Sequence, residues 1–141
     1  MTKLILGKNK EGKEIYLDDT NFGELAEKRI IEYNKTPIQK ISKSKIRGIL
    51  ELVNKIYNDV FYLVENPLDT NHLSDIAYLK VKFAYESAKE ERDKTKPIDE
   101  FVKQTRIMHL LDQIKTKDEF LLYARYVESL IAYFKFHGGK D

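Results

Sequence analysis

The sequence predicts an all-α protein, a compact bundle of about five helices with a short irregular or hairpin-like N-terminal extension. Three observations lead to this prediction. Hydrophobic residues recur at spacings of three and four from about residue 21 onward. Three prolines and six glycines in 141 residues leave few points where helices must break. The composition, 42% hydrophobic and 34% charged, is typical of a folded chain, and the length suits one domain.

The first twenty residues differ from the rest of the chain. Two short β-favouring runs, residues 3–6 and 14–17, flank a polar segment that contains Gly7 and Gly12. This pattern fits either a marginal β-hairpin or a loose tail, because an isolated two-stranded hairpin has little stability of its own. We therefore divide the chain into an N-terminal extension, 1–20, and a helical bundle domain, 21–141.

Five helices are expected in order along the bundle. Their approximate ranges are 21–34 with Asp19 or Thr20 as N-cap, 44–65, 73–93, a fourth from Pro97 through Ile114, and a fifth that ends near His137. Pro37 and Pro67 separate the first three. Thr116 and Glu119 have the spacing of a capping box before the fifth helix, and two glycines follow it.

The chain lacks the residue patterns that most enzymes need. It contains no cysteine, which excludes disulfides, thiol catalysis and thiolate metal sites. Its three histidines are far apart and have no metal-ligand spacing, so no metal or cofactor is expected. Arg106 and His109 are closer than the four to six residues that a helical RNase of the HEPN type requires. We predict a protein that is not an enzyme.

Charge and hydropathy limit the possible partners. No apolar run approaches 18 residues, so we expect no membrane partner and a cytoplasmic location. The 25 basic and 23 acidic residues leave a net charge of only +2. Proteins that hold nucleic acid alone usually show a clear basic excess. Any nucleic-acid surface must therefore be a local stripe, with modest affinity as a single subunit.

The first candidate stripe lies at the start of the second helix. Lys43, Lys45 and Arg47 occupy a first turn, where the helix dipole disfavours cations. A phosphate would resolve this conflict by accepting hydrogen bonds from free N–H groups and hydroxyls and by pairing with the cations. In the alternative interpretation, Ser42 or Ser44 caps the helix and the cations are solvated. The sequence does not decide between the two.

The second candidate stripe lies on the third helix. At 100° per residue, five cationic and aromatic side chains fall within about 80° of arc: Tyr78, Lys82, Tyr85, Lys89 and Arg92. Such a face suits a nucleic-acid backbone, with rings that contact sugars or bases. The alternative is an ordinary solvated face, which nearby glutamates favour. Lys80 projects toward the apolar arc, where it either snorkels to solvent or faces a partner.

The fifth helix is apolar on both sides. Phe120, Val127 and Leu130 lie on one side, whereas Tyr126, Tyr133 and Phe136 lie largely on the other. A helix that is apolar all round is either central in a bundle or part of an interface. We predict Tyr126, Tyr133 and Phe136 as subunit-interface residues.

Three segments carry a resemblance to a known family: 44–59, 78–86 and 120–135, followed by Gly138 and Gly139. In order and spacing, the chain from about residue 22 to its end resembles the small subunit of the type III-A CRISPR–Cas Csm effector complex. The first twenty residues do not align with the family as we recognise it. In addition, residues 85–89 stand where the family often has a Gly-Arg pair.

The resemblance implies a non-catalytic, all-α subunit that stacks in several copies beside the backbone subunits. Its partners would be guide RNA, target RNA, the backbone and large Csm subunits, and further copies of itself. By analogy, RNA phosphates would contact the cations of the two stripes: Lys43, Lys45, Arg47, Lys82, Lys89 and Arg92. The alternative is a helical protein–protein adaptor without direct RNA contact, in which both stripes are solvated.

Overall fold

The computed structural model describes residues 1–33, 41–89 and 97–137. Two antiparallel strands and six helices occupy these ranges. They are β1 (Lys3–Lys8), β2 (Glu14–Asp18), α1 (Phe22–Tyr33), α2 (Lys43–Phe61), α3 (Thr70–Ala88), α4 (Pro97–Thr105), α5 (Ile107–Leu111) and α6 (Lys117–Phe136). The prediction of a mostly helical bundle with a short N-terminal hairpin is confirmed.

The N-terminal segment is an ordered hairpin that packs into the core. Leu4, Leu6 and Leu17 are almost completely buried in the same hydrophobic cluster as the helices. The Gln113 side chain extends the pairing, because it accepts from Ile5 N–H and donates to Ile5 C=O, both at 2.7 Å. Burial and these two bonds supply the stability that an isolated hairpin lacks.

Helix α6 is the central element of the bundle. It makes its most extensive contacts with α1 and α2 and also contacts α5 and β1. Side chains on both of its faces are buried, as the all-round apolar pattern allows: Phe120, Leu122, Tyr123, Ala124, Tyr126, Val127, Leu130, Ile131 and Phe134. The predicted capping box is present, with Thr116 Oγ1 accepting from Glu119 N–H and Glu119 accepting from Thr116 N–H.

The predicted fourth helix is interrupted. Arg106 has a left-handed backbone (φ 67°, ψ 19°), which ends α4 and starts the short helix α5. Two buried phenols of α6 hold this junction, since Tyr126 donates to Thr105 C=O at 2.7 Å and Tyr123 donates to Ile107 C=O at 2.9 Å. Continuous helical periodicity in the sequence gives no sign of such a break.

Candidate nucleic-acid interface

The first turn of α2 carries the first candidate stripe. Ser42 is the N-cap, and its hydroxyl accepts a hydrogen bond from Lys45 N–H at 3.3 Å. No acidic residue lies in this turn, and the side chains of Lys45 and Arg47 are exposed. The serine therefore caps the helix, as one interpretation of the sequence held, while the cations remain accessible to a ligand.

The exposed face of α3 carries the second candidate stripe. Tyr78 and Tyr85 are 59% and 61% exposed. Lys82 Nζ lies 5.0 Å from the ring centroid of Tyr78, and Lys89 Nζ lies 4.8 Å from that of Tyr85. Each lysine thus makes a cation–π contact with the tyrosine four residues before it. The result is two similar aromatic–cation pairs on one face, seven residues or about two helical turns apart.

The C-terminal end of this stripe is partly neutralised. Lys89 is the C-cap of α3 and pairs with the Glu86 carboxylate at 3.2 Å. This pair lies at the surface, where such contacts are weak and the lysine can exchange partners. Arg92, the last member of the predicted stripe, lies outside the described residues.

Helices α2 and α3 enclose a shallow groove, which we call the α2–α3 groove. It has a volume of about 180 Å³ and is lined by Leu52, Lys55, Ile56, Asp59, Asp75, Tyr78, Leu79 and Lys82. Residues 62–69 join the end of α2 to the start of α3, so the helices run in opposite directions. The two aspartates therefore lie near this connection, and Lys82 lies toward the far end.

The groove brings together only some of the predicted cations. Lys45 lies on the side of α2 that faces the groove, whereas Arg47, two residues later, projects about 200° away around the helix. Lys55 also lines the groove but was not predicted, because apolar periodicity identifies the core face of α2 and not the face that borders α3. Lys43 is the first residue of α2, and its side chain lies outside the part of the chain that the structure describes.

The predicted subunit-interface residues occupy two different environments. Tyr126 is fully buried and bonded to Thr105, so its side chain is not available to a neighbouring subunit. We therefore correct that assignment and place Tyr126 in the core. Tyr133 is half-buried and Phe136 is 76% exposed. Their rings meet edge to face at 6.4 Å, and His137 packs against both.

Lys80 faces another part of the same chain. Its Nζ pairs with both carboxylate oxygens of Asp112, at 2.8 and 3.0 Å, and so joins α3 to the segment after α5. Partial burial, followed by the charge of Arg106, lowers the pKa of the nearby His109. In the described ranges, no three acidic or histidine side chains come together as metal ligands. Across those same ranges, each helix is too short or too polar for a bilayer crossing.

Comparisons with known proteins identify the family. A sequence model described as Csm2 Type III-A matches residues 21–140. The "CRISPR system Cms protein Csm2" of Enterococcus italicus is 34% identical, over 94% of this chain and 96% of its own length. The protein of that name from Streptococcus thermophilus is 32% identical, over 89% and 98%. That from Mycobacterium tuberculosis is 27% identical, over 72% and 79%.

The alignment with the Enterococcus protein also corrects one detail. Because it spans 94% of this chain, it includes part of the first twenty residues, which we did not expect to align. The fold, the family match and these relatives agree: the chain belongs to the Csm2 family, the small subunits of type III-A CRISPR effector complexes.

Proposed function

We propose that the chain is a non-catalytic small subunit that contacts the phosphate backbones of guide RNA and target RNA through the α2–α3 groove. The observation that carries this proposal is the exposed α3 face, where Lys82 and Lys89 lie over two accessible tyrosine rings. A lysine beside an exposed ring offers a charge to a phosphate and a stacking surface to a sugar or base.

The distribution of charge in the groove favours one half of it. Asp59 and Asp75 lie near the connection between α2 and α3 and repel phosphates there. Of the cations, Lys82 lines the other half. Lys45 and Lys89 lie at the ends of α2 and α3 that are distant from the connection. An RNA strand would therefore lie across the half of the groove that is distant from the connection. These contacts read backbone and shape, so base pairing with the guide supplies sequence specificity.

The small net charge of +2 is compatible with this role if several subunits bind one strand. A few phosphate contacts give weak binding to a single subunit. Adjacent subunits on the same RNA convert later contacts into intramolecular ones and so multiply affinity. This requires that copies of the subunit lie beside one another.

We further propose that copies stack through the two ends of α6. Phe136 and Tyr133 form an aromatic surface at its C-terminal end. At its N-terminal end, Lys117 Nζ donates to Leu63 C=O at 2.7 Å, which anchors the connection that carries exposed Tyr62 and Val64. Contact between these unlike ends is head-to-tail and does not close on itself, so it builds a filament.

Sedimentation velocity at increasing protein concentration tests the stacking. We expect self-association that Phe136→Ser and Tyr62→Ser each weaken. Tyr85→Ser removes a comparably exposed aromatic side chain from α3 and serves as the matched control. A monomer at all concentrations, or equal association by all three variants, contradicts the stacking proposal.

Fluorescence anisotropy with a labelled single-stranded RNA, at low and then high salt, tests the RNA contact. We expect binding that weakens steeply with salt, because phosphate contacts release counterions. Lys82→Ala with Lys89→Ala should reduce the slope of log K against log salt by about 1.4, or ~0.7 for each lost contact. The matched control, Lys13→Ala with Lys115→Ala, removes the same charge elsewhere and should leave most of the slope.

The alternative function, a protein–protein adaptor, predicts a different result in this assay. The Lys89–Glu86 pair and the acidic end of the groove favour it, because they reduce the local positive charge. Equal RNA binding by the two double variants contradicts RNA contact through the α2–α3 groove. If the chain makes no RNA contact in its assembled complex, the adaptor interpretation replaces ours. Cleavage of RNA by the pure chain would contradict the non-catalytic role.

A further inference from the structure

A second basic surface lies on a different part of the molecule, beside the N-terminal hairpin. We call it the hairpin cleft. It has a volume of about 450 Å³ and is lined by Ile5, Gly7, Lys8, Arg29, Arg106 and His109. Strand β1, helix α1 and the junction between α4 and α5 each contribute to it. Among the residues that the structure describes, its lining contains no acidic side chain.

The two arginines of the cleft are oriented by backbone carbonyl groups. Arg106 Nε donates to Leu6 C=O at 3.1 Å, and Arg29 Nη1 donates to Gln104 C=O at 3.2 Å. Both guanidinium groups reach the same face of Gly7, where an added Cβ would lie 3.8 Å from Arg29 Nη2 and 3.9 Å from Arg106 Nε. The glycine thus leaves the space between the two arginines open.

The cations of the hairpin cleft have no carboxylate partners in the described part of the chain. The ion pairs found there involve other side chains and none of Lys8, Arg29 or Arg106. Each guanidinium has five N–H donors, of which one bonds to a carbonyl group of the described residues. Two fixed guanidiniums with unused donors on one cavity form a geometry suited to phosphate oxygens.

The fold supports this arrangement at some cost. A left-handed backbone is unfavourable at a residue other than glycine, and Arg106 adopts one. Two buried tyrosine hydroxyls hold the carbonyl groups on either side of it. Strained residues persist where their surroundings determine them in this way, and they cluster at binding sites. Burial, followed by the charge of Arg106, lowers the pKa of His109 in this cleft.

Further cations lie beside the cleft, on the hairpin and on α1. A neighbouring groove of about 460 Å³ shares Lys8 and Arg29, adds Lys10 and Lys28, and among the described residues contains one acidic residue, Glu32. Together the linings of the two cavities contain five lysine and arginine side chains, more than one phosphate group requires. A strand with repeated phosphates fits such a surface better than a single small anion does.

The hairpin cleft lies away from the α2–α3 groove. On α3, the Lys80 side chain projects about 200° from that of Tyr78, because the residues are two positions apart on a helix. Lys80 pairs with Asp112 beside α5, which carries His109 of the cleft, whereas Tyr78 lines the groove. The two surfaces therefore lie on different sides of α3.

We propose that the hairpin cleft binds the phosphate backbone of a nucleic-acid strand, so that the subunit has two separate phosphate-binding faces. Lys8, Arg29 and Arg106 are the contact residues, and the open face of Gly7 admits the phosphate between the arginines. The proposal extends the proposed function but does not depend on the α2–α3 groove. Either surface can bind RNA if the other does not.

Amide chemical-shift mapping of the full chain, titrated with single-stranded RNA, tests this proposal. We expect shifts at Gly7, Arg106 and His109, and we expect them to persist in the Lys82→Ala, Lys89→Ala variant. Shifts that persist in this variant show that RNA binds the cleft independently of the groove, since the variant weakens binding to the groove alone. RNA that leaves the three amides unmoved overturns the proposal.

Arg106→Gly provides the sharper variant, because glycine adopts the left-handed backbone without strain while the guanidinium is lost. We expect RNA affinity at low salt to fall about tenfold, which is typical for hydrogen bonds to charged groups. Lys8→Gln, which leaves the backbone unchanged, should reduce the salt slope by about 0.7. Unchanged RNA binding by both variants overturns the proposal, as does a polyglutamate peptide that shifts the cleft amides where RNA does not.

Discussion

The junction between α4 and α5 is held by buried hydrogen bonds, and Tyr126→Phe tests their importance. The substitution removes one hydroxyl and almost no volume, so it leaves no cavity to confuse the result. Tyr126 is fully buried, and its hydroxyl donates to Thr105 C=O at 2.7 Å. Burial raises the pKa of this phenol, so it remains a protonated donor at physiological pH.

The expected loss of stability follows from the carbonyl group that the substitution leaves behind. Thr105 is 1% exposed, so water cannot easily replace the lost donor. A buried acceptor without its partner costs about 1–3 kcal/mol. For a domain of this size, we expect a fall in Tm of about 4 °C for each kcal/mol. Urea denaturation followed by circular dichroism should show a lower midpoint with an unchanged m-value.

Tyr85→Phe is the matched control for this experiment. It removes the same hydroxyl from a side chain that is 61% exposed on α3, so we expect stability within about 0.5 kcal/mol of the parent. If Tyr126→Phe is as stable as this control, the hydroxyl does not hold the junction. Our explanation of the left-handed backbone at Arg106 would then be wrong.

Three further predictions concern the core, a helix cap and pH. Leu130→Ala should lower the free energy of unfolding by about 2–5 kcal/mol, because Leu130 is fully buried on the central helix; a loss below 1 kcal/mol by urea denaturation would place it outside the core. Thr116→Ala should lower the free energy of unfolding by about 1 kcal/mol through loss of the α6 cap, measured in the same way. Thr116→Ser keeps a hydroxyl and should retain most of the parent's stability. The pKa of His109 is lowered from 6.5, chiefly by burial. The unfolded chain therefore binds the proton more readily, and stability should fall as pH decreases below about 6.5. His109→Gln should make this fall shallower, and an identical pH profile in chemical denaturation would refute the assignment.

Local features of the fold were predictable from the sequence. The capping box at Thr116 depends on residues three positions apart, and the structure confirms it. Helical geometry alone also predicts that the residues of the α3 stripe share one face. The structure adds that Lys82 lies over Tyr78 and Lys89 over Tyr85. Where an interaction joins residues a few positions apart, their spacing in the sequence is sufficient to predict it.

Features that depend on contacts between distant segments were not predictable. The hairpin is ordered because Gln113, more than 100 residues away, bonds to Ile5. The break at Arg106 is held by tyrosines from α6, and no local signal marks it. Lys55 is a candidate RNA-contacting residue only because α2 packs beside α3, which the sequence does not show. Tyr126 was misassigned because its periodicity matches both an interface and a core position.

The most direct test of the central claim is protein–RNA cross-linking in the assembled type III-A complex, with this chain as its small subunit. Ultraviolet cross-linking followed by mass spectrometry identifies the peptides in contact with guide or target RNA. We predict cross-links on the α3 peptide that contains Tyr78 and Tyr85, and their loss when both tyrosines are replaced by leucine. Cross-links elsewhere in the complex, with none on this peptide, would contradict RNA contact through the α2–α3 groove.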